Sequence, residues 1–161
     1  MRKPFATAPA LLLAASLPVA LPPPAGAAGG YAVYETQAPF DDTLDALKLA
    51  IEERGMYINN VMHLGEMLER TGKDLGDARR IYERAESVEF CSATLSRAMT
   101  AEDPARLVNC PFIVSVYTLP DRPGTTLVVH REVPQDQVDS SPTMRKVAEM
   151  LKGVAGAAAA W

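Results

Sequence analysis

Four side chains in this 161-residue chain are of types that do chemistry together: Cys91, Cys110, His63 and Met67. Both cysteines fall in one stretch, FCSATLSRAMTAEDPARLVNCPF, from Phe90 to Phe112. Two thiols so placed are compatible with a disulfide, a redox-active pair or a pair of metal ligands. A buried, reduced pair packing as small apolar side chains is a fourth reading. The spacing is not the C-x-x-C of a thioredoxin-like site. Upstream, VMHLGEML sets His63 and Met67 at i and i+4, on one side of any helix that begins near Met62. An imidazole and a thioether at that spacing suit copper, or the axial positions of a haem. Met56 and Met62 add soft donors nearby. The plainer reading is that methionines at helical spacing fill a core and a single histidine sits at the surface. There is no C-x-x-C-H, so covalently attached haem is excluded.

Catalytic arrangements are thinner. Cys91 directly precedes a helix that starts at Ser92, where free backbone N–H groups and the helix dipole favour a thiolate. His63 or His130 could serve as its base. The glycine-rich surround and orienting Asn or Asp of cysteine hydrolases are not recognisable, however. His130 alternates with Val129, which turns it toward solvent or a dimer partner. Asp41/Asp42 and Glu52/Glu53 are adjacent pairs on a solvated helix side, suited to capping and solubility. The glycines near Gly72 and Gly76 lack the G-x-x-x-x-G-K-[ST] phosphate pattern. Aromatic residues make up 6% of the chain, too few for a stacking platform for bases or sugars.

The elements that must position these groups begin with a leader. Arg2 and Lys3 precede an apolar run from about Pro9 to Ala20, and Ala25-Gly26-Ala27 is a small-x-small cleavage pattern. The run is short and broken by Pro18, so it does not span a bilayer as a helix. Residues 1–27 are read as a signal peptide, with the mature chain starting near Ala28 in a periplasmic or secreted location. That location permits disulfides. The leader carries two of the 16 basic residues and none of the 20 acidic ones, leaving the mature chain at about −6. Such a chain is a poor partner for nucleic acid or anionic lipid. A small ligand, a metal or another periplasmic protein fits better.

Tyr31–Thr36 reads as a first strand. Phe40, Leu44, Leu47 and Ile51 then recur at helical spacing, with Asp41 or Asp42 as cap and Gly55 as a left-handed terminator. Met56–Met62 is a second strand, followed by a short helix stopped by Gly72. Glu83–Cys91 is a third strand, and Ser92 caps a helix ended or restarted by Pro104. Phe112–Thr118 and Thr125–Arg131 form a hairpin across LPDRPG. Ser141-Pro142 opens a last helix with the stripe Met144, Val147, Leu151 and Val154. The order β-α-β-α-β-α-β-β-α predicts an α+β domain, an antiparallel-rich sheet with helices packed on one face. Its expected core is Phe40, Leu44, Leu47, Ile51, Leu95, Met99, Phe112, Val114 and Val116.

Three features together, FCSA before a helix, the Asp103-Pro104 pair and Cys110-Pro111 leading into an apolar strand, resemble the DUF302 family. MHLGEMLERTGKDLG and LVVHREVP extend the resemblance from about Thr36 to Val133. It implies a small α+β domain over residues 30–134 and is compatible with a homodimer. It implies no activity, the family being one of unknown function. Residues 135–161 lie beyond it as a C-terminal helical extension, packing on the same domain or on a partner.

Three function classes follow. One is a periplasmic metal or redox-linked binding module centred on Cys91 and Cys110 with His63 and Met67, taking copper or haem. Another is a disulfide-stabilised, non-catalytic dimeric interaction domain, its bond contributing about 3 kcal/mol. A small thiol enzyme ranks last. Titrating free thiols in the native protein and assaying bound copper, iron and zinc separates them. Absence of both thiols and metal supports the interaction domain. A structural disulfide further predicts similar destabilisation by Cys91→Ser and Cys110→Ser.

Overall fold

The computed structural model describes residues 30–77 and 79–161, and the leader read in residues 1–27 lies outside them. Strand β1 (Tyr31–Thr36) leads into helix α1 (Phe40–Glu52), then β2 (Tyr57–Met62) and α2 (Leu64–Asp74). β3 (Arg84–Cys91), α3 (Ala93–Glu102) and a 3-10 turn over Pro104–Asn109 come next. The hairpin is β4 (Phe112–Leu119) and β5 (Arg122–Arg131), followed by α4 (Gln135–Ser140) and α5 (Pro142–Ala159). The five strands form one antiparallel sheet in the order β1-β5-β4-β3-β2, as the α+β expectation requires.

Strand alternation decides what is buried. Register sets Phe90 beside Phe112, Val88 beside Val114 and Val116 beside Val128, so these apolar side chains share one face of the sheet. Leu44, Leu47 and Ile51 of α1 and Met144, Val147, Leu151 and Val154 of α5 pack on that face. All nine expected core residues belong to this layer, Leu95 as a half-buried member at its margin. The tail helix therefore packs on its own domain. Among the described residues, no helix is long and apolar enough to cross a membrane.

Several local expectations change. Pro39, not Asp41 or Asp42, occupies the cap position of α1, without a side-chain hydrogen bond. Asp41 instead takes two hydrogen bonds from Arg84, each 2.7 Å, and the same guanidinium lies 4.0 Å from the centre of the Phe40 ring. That bidentate pairing holds the Asp41 carboxyl below its ordinary range. Gly55 does adopt the left-handed conformation, φ 68°. Gly72 does not stop α2, which runs on to Asp74. A side chain there would come 2.6 Å from the Asp77 carbonyl oxygen, so glycine allows the returning loop to close on the helix. The hairpin link shrinks to Pro120-Asp121 because β5 starts at Arg122, and α4 is an element that the apolar pattern does not mark. β2 carries an irregularity between Ile58 and Asn60, where its register on β3 shifts.

Leu47 is fully buried in α1, while Leu49 on the same helix is 43% exposed. Leu47→Ala is expected to destabilise the protein by about 2–5 kcal/mol. Leu49→Ala should stay within about 0.5 kcal/mol. Urea denaturation of the two variants measures the contrast.

Candidate functional site

The cysteines sit at the ends of adjacent strands, Cys91 closing β3 and Cys110 just before β4. The register that pairs Phe90 with Phe112 brings them near one another. Both are half-buried free thiols. The Cys110 thiol donates to Ser96 Oγ of α3 at 3.1 Å and packs against the core layer. Cys91 alternates with buried Phe90 and so turns to the other face of the sheet. Burial pushes the Cys91 thiol above its ordinary range, charge on nearby Cys110 pushes it further, and a hydrogen bond with Asn59 offsets this only in part. Burial at Cys91 thus works against the thiolate that a helix start favours.

His63 and Met67 lie elsewhere. His63 is the residue before α2, with Nδ1 3.5 Å from a carboxylate oxygen of Glu86. Glu86 is five positions from Cys91 along β3, roughly 17 Å at strand rise. Met67 is 43% exposed on α2. The four residues grouped by their chemistry are thus divided between two ends of one strand. Met56 is buried in the core layer, as the plainer reading of the methionines has it. Among the described residues, no three or more His, Cys, Asp or Glu side chains are grouped to hold an ion.

A cleft of about 970 Å³ opens at the end of the sheet nearest Cys110. The 3-10 turn, the start of β4, the end of β5 and α4 surround it. Val108, Pro111, Ile113, Val129 and Val133 give it apolar walls, and Arg106, Asn109, Arg131, Glu132 and Gln137 bring polar groups to it. His130 lines it from the core side and is only 6% exposed, contrary to the solvent-facing expectation. It shares the phase of Val128 rather than that of Val129. Nδ1–H donates to the Arg131 carbonyl at 2.9 Å, leaving Nε2 to accept from the Tyr34 hydroxyl at 3.3 Å. The two rings stack with centroids 5.8 Å apart. Burial, helped by the charge of Glu132, raises the Tyr34 hydroxyl above its usual range and keeps it a donor.

The family described as "Domain of unknown function DUF302" matches residues 32–158. The chain belongs to the DUF302 family. The matched span includes α4 and nearly all of α5, reaching well past Val133. Among solved structures, the domain is similar to the crystal structure of an uncharacterized conserved DUF302 protein from Bacillus stearothermophilus. That likeness has a TM-score of 0.64 at 14% identity, covering 81% of this chain and 99% of the other. At this identity it speaks for the fold. No curated protein matches the chain.

One polar assembly without a local signature in the sequence braces this DUF302 domain beside the cleft. Ser141 caps α5 by accepting from the Met144 N–H at 3.1 Å, and its hydroxyl donates to Glu102 at 2.6 Å. Arg106 and Thr143 also donate to Glu102. These bonds, led by those from the two hydroxyls, hold the Glu102 carboxyl down at about 2. The signal for it is half legible: residue type marks Ser141 as a cap, but its partner lies 39 residues away in sequence. A carboxyl whose folded pKa lies below its unfolded one stabilises the fold above the unfolded value, near 4.5. That contribution fades as pH falls from there toward 2. Glu102→Gln is expected to lower the melting temperature at neutral pH and to flatten its fall between pH 5 and pH 2. Thermal melts across that range measure both effects.

Proposed function

We propose that this DUF302 domain is an exported, non-catalytic binding module that takes a small ligand of mixed polarity in the cleft at the end of its sheet. The observation that carries the reading is the cleft itself, whose apolar walls are broken by a few polar groups. That composition is typical of small-molecule sites. Arg106 is held by Glu102, and the Asn109 amide donates to the Arg106 carbonyl at 3.1 Å, so the turn that forms one wall is braced from within. A braced wall lowers the entropic cost of binding.

The thiols support the same reading in a structural role. A raised Cys91 pKa works against nucleophilic or redox use at neutral pH. The two sulfurs occupy opposite faces of adjacent strand ends, where each fills a small half-buried space. Export is supported by the basic, apolar and small-x-small segments of the leader.

Anilinonaphthalene sulfonate, an aromatic anion with an apolar body, is a direct probe. It should bind saturably at one site per chain. Gln137→Trp or Val108→Trp, which place bulk in the cleft, should weaken it at least tenfold while leaving the circular dichroism spectrum unchanged. Dye binding that does not saturate, or that neither variant alters, would overturn the reading. N-terminal sequencing of the protein recovered from cells tests export separately: a chain beginning near Ala28 is expected, and one retaining residues 1–27 would refute it.

A further inference from the structure

The cleft draws its walls from both faces of the sheet. Ile113, Val129 and Arg131 alternate with buried neighbours and stand on the face away from α1 and α5, while Phe112 and His130 stand on the core side. One space thus wraps the end of the sheet. Its polar side chains divide into two sets. Arg106 donates to Glu102 and to Ser141, Asn109 to the Arg106 carbonyl, and Asp103 accepts from the Ala105 N–H at 2.9 Å. His130 is bonded to Tyr34 and to the Arg131 carbonyl, and Ser115 to Ser87 at 2.6 Å. These groups brace the walls. Arg131, Glu132 and Gln137 do not. Their backbones are bonded: Glu132 N–H donates to the Gly30 carbonyl at 2.9 Å, Gln137 N–H to the Pro134 carbonyl at 3.0 Å, and the Arg131 carbonyl accepts from His130. Among the described residues, none of the three side chains joins an ion pair. Glu132 and Gln137 are half-buried, and the charge of Glu132 reaches the Tyr34 hydroxyl on the core side. Arg131 leaves the strand end toward the other face, because successive residues alternate. The two charges therefore flank the cleft without neutralising each other.

We propose that the cleft takes a short apolar peptide with both ends free, its carboxylate on Arg131, its ammonium on Glu132 and a peptide group between them on Gln137. This assignment rests on the cleft reading above and adds the class of ligand. Each of the three side chains has one complement in such a molecule. A guanidinium pairs with a carboxylate through two parallel hydrogen bonds. A carboxylate partly withdrawn from water is stabilised by a cation. A carboxamide both donates and accepts, as a peptide group does. Val108, Val129 and Val133 give apolar side chains a surface to cover. Simpler ligands leave a group unmatched: a fatty acid misses Glu132, and an alkylamine misses Arg131. A single amino acid carries both charges on one carbon and reaches only one side of the strand end. Three extended residues span about 10 Å, close to the spacing of packed sheets, and so pass from one side to the other.

Isothermal titration calorimetry of the purified protein with trileucine should give one site per chain. Acetylating the peptide's amine, or amidating its carboxylate, should each weaken binding at least fivefold, a comparison that needs no substitution in the protein. Glu132→Gln should weaken free trileucine as much as acetylation does and leave the affinity for the acetylated peptide within twofold of wild type. Arg131→Gln should behave in the same way toward the amidated peptide. Circular dichroism should be unchanged in both variants. Capped peptides that bind as tightly as the free one would overturn the assignment, as would variants that weaken every form alike. Trileucine that neither binds nor displaces anilinonaphthalene sulfonate, while the dye fills its single site, would sink the peptide and leave the cleft reading standing. A dye that does not saturate, together with trileucine that does not bind, would sink both.

Discussion

The apolar layer between the sheet and the helix pair α1 and α5 is the constraint on which this domain depends. α1 lies near the start of the domain and α5 at its end, so neither buries its stripe by local folding. Each needs the sheet, and the sheet needs both to cover Val88, Val114, Val116 and Val128. Helices of this length are marginal alone in water and are stabilised by such packing. Once α5 is seated, the chain between β5 and α5 has little freedom. α4 and the 3-10 turn are drawn to the end of the sheet, and the cleft is the space they leave. Its shape is a by-product of closing the core.

Polar groups at the margin of that layer are resolved with similar economy. Among the described residues, no buried side-chain nitrogen or oxygen lacks a hydrogen-bond partner. Ser141 satisfies the first turn of α5 and reaches Glu102 at the end of α3, linking two helices that share no strand. His130 and Tyr34 settle each other across the edge pair β1 and β5. An unpaired polar atom in either place would carry a desolvation cost, so both pairings help select the register they occupy.

Alternation and helical spacing are local properties, which is why most of the architecture is legible in the order of residues alone. FIVSVYT and TTLVVHR read as strands on pattern, and Ser92 and Ser141 as caps on residue type. What pattern misjudges is which face is buried, and which partner a polar group takes. It turns His130 to solvent or a dimer partner, when the ring lies with Val128 on the buried side. It offers Asp41 as a cap, when Arg84 from β3 claims the carboxylate. It makes Gly72 a stop, when the close return of Asp77 requires its missing side chain. The cysteines do lie at adjacent strand ends, as their flanking elements imply. Chemical likeness joins His63 and Met67 to them, and strand register places that pair at the opposite end of β3. The cleft has no local signature, since its walls come from segments that the chain order separates.

The register shift in β2 between Ile58 and Asn60 has a bearing on the company the sheet keeps. β2 is one edge of the sheet, and an edge strand offers unpaired backbone donors and acceptors to any extended chain that meets it. A regular edge is a template for open-ended growth. The irregularity spoils that template, and α2 takes the place beside β3 where β2 stops. On the opposite edge, β1 is only six residues long and carries Glu35, held by Arg122 of its neighbour. Both borders are thereby unfriendly to strand addition, which guards a sheet-rich domain against open-ended growth through its edges.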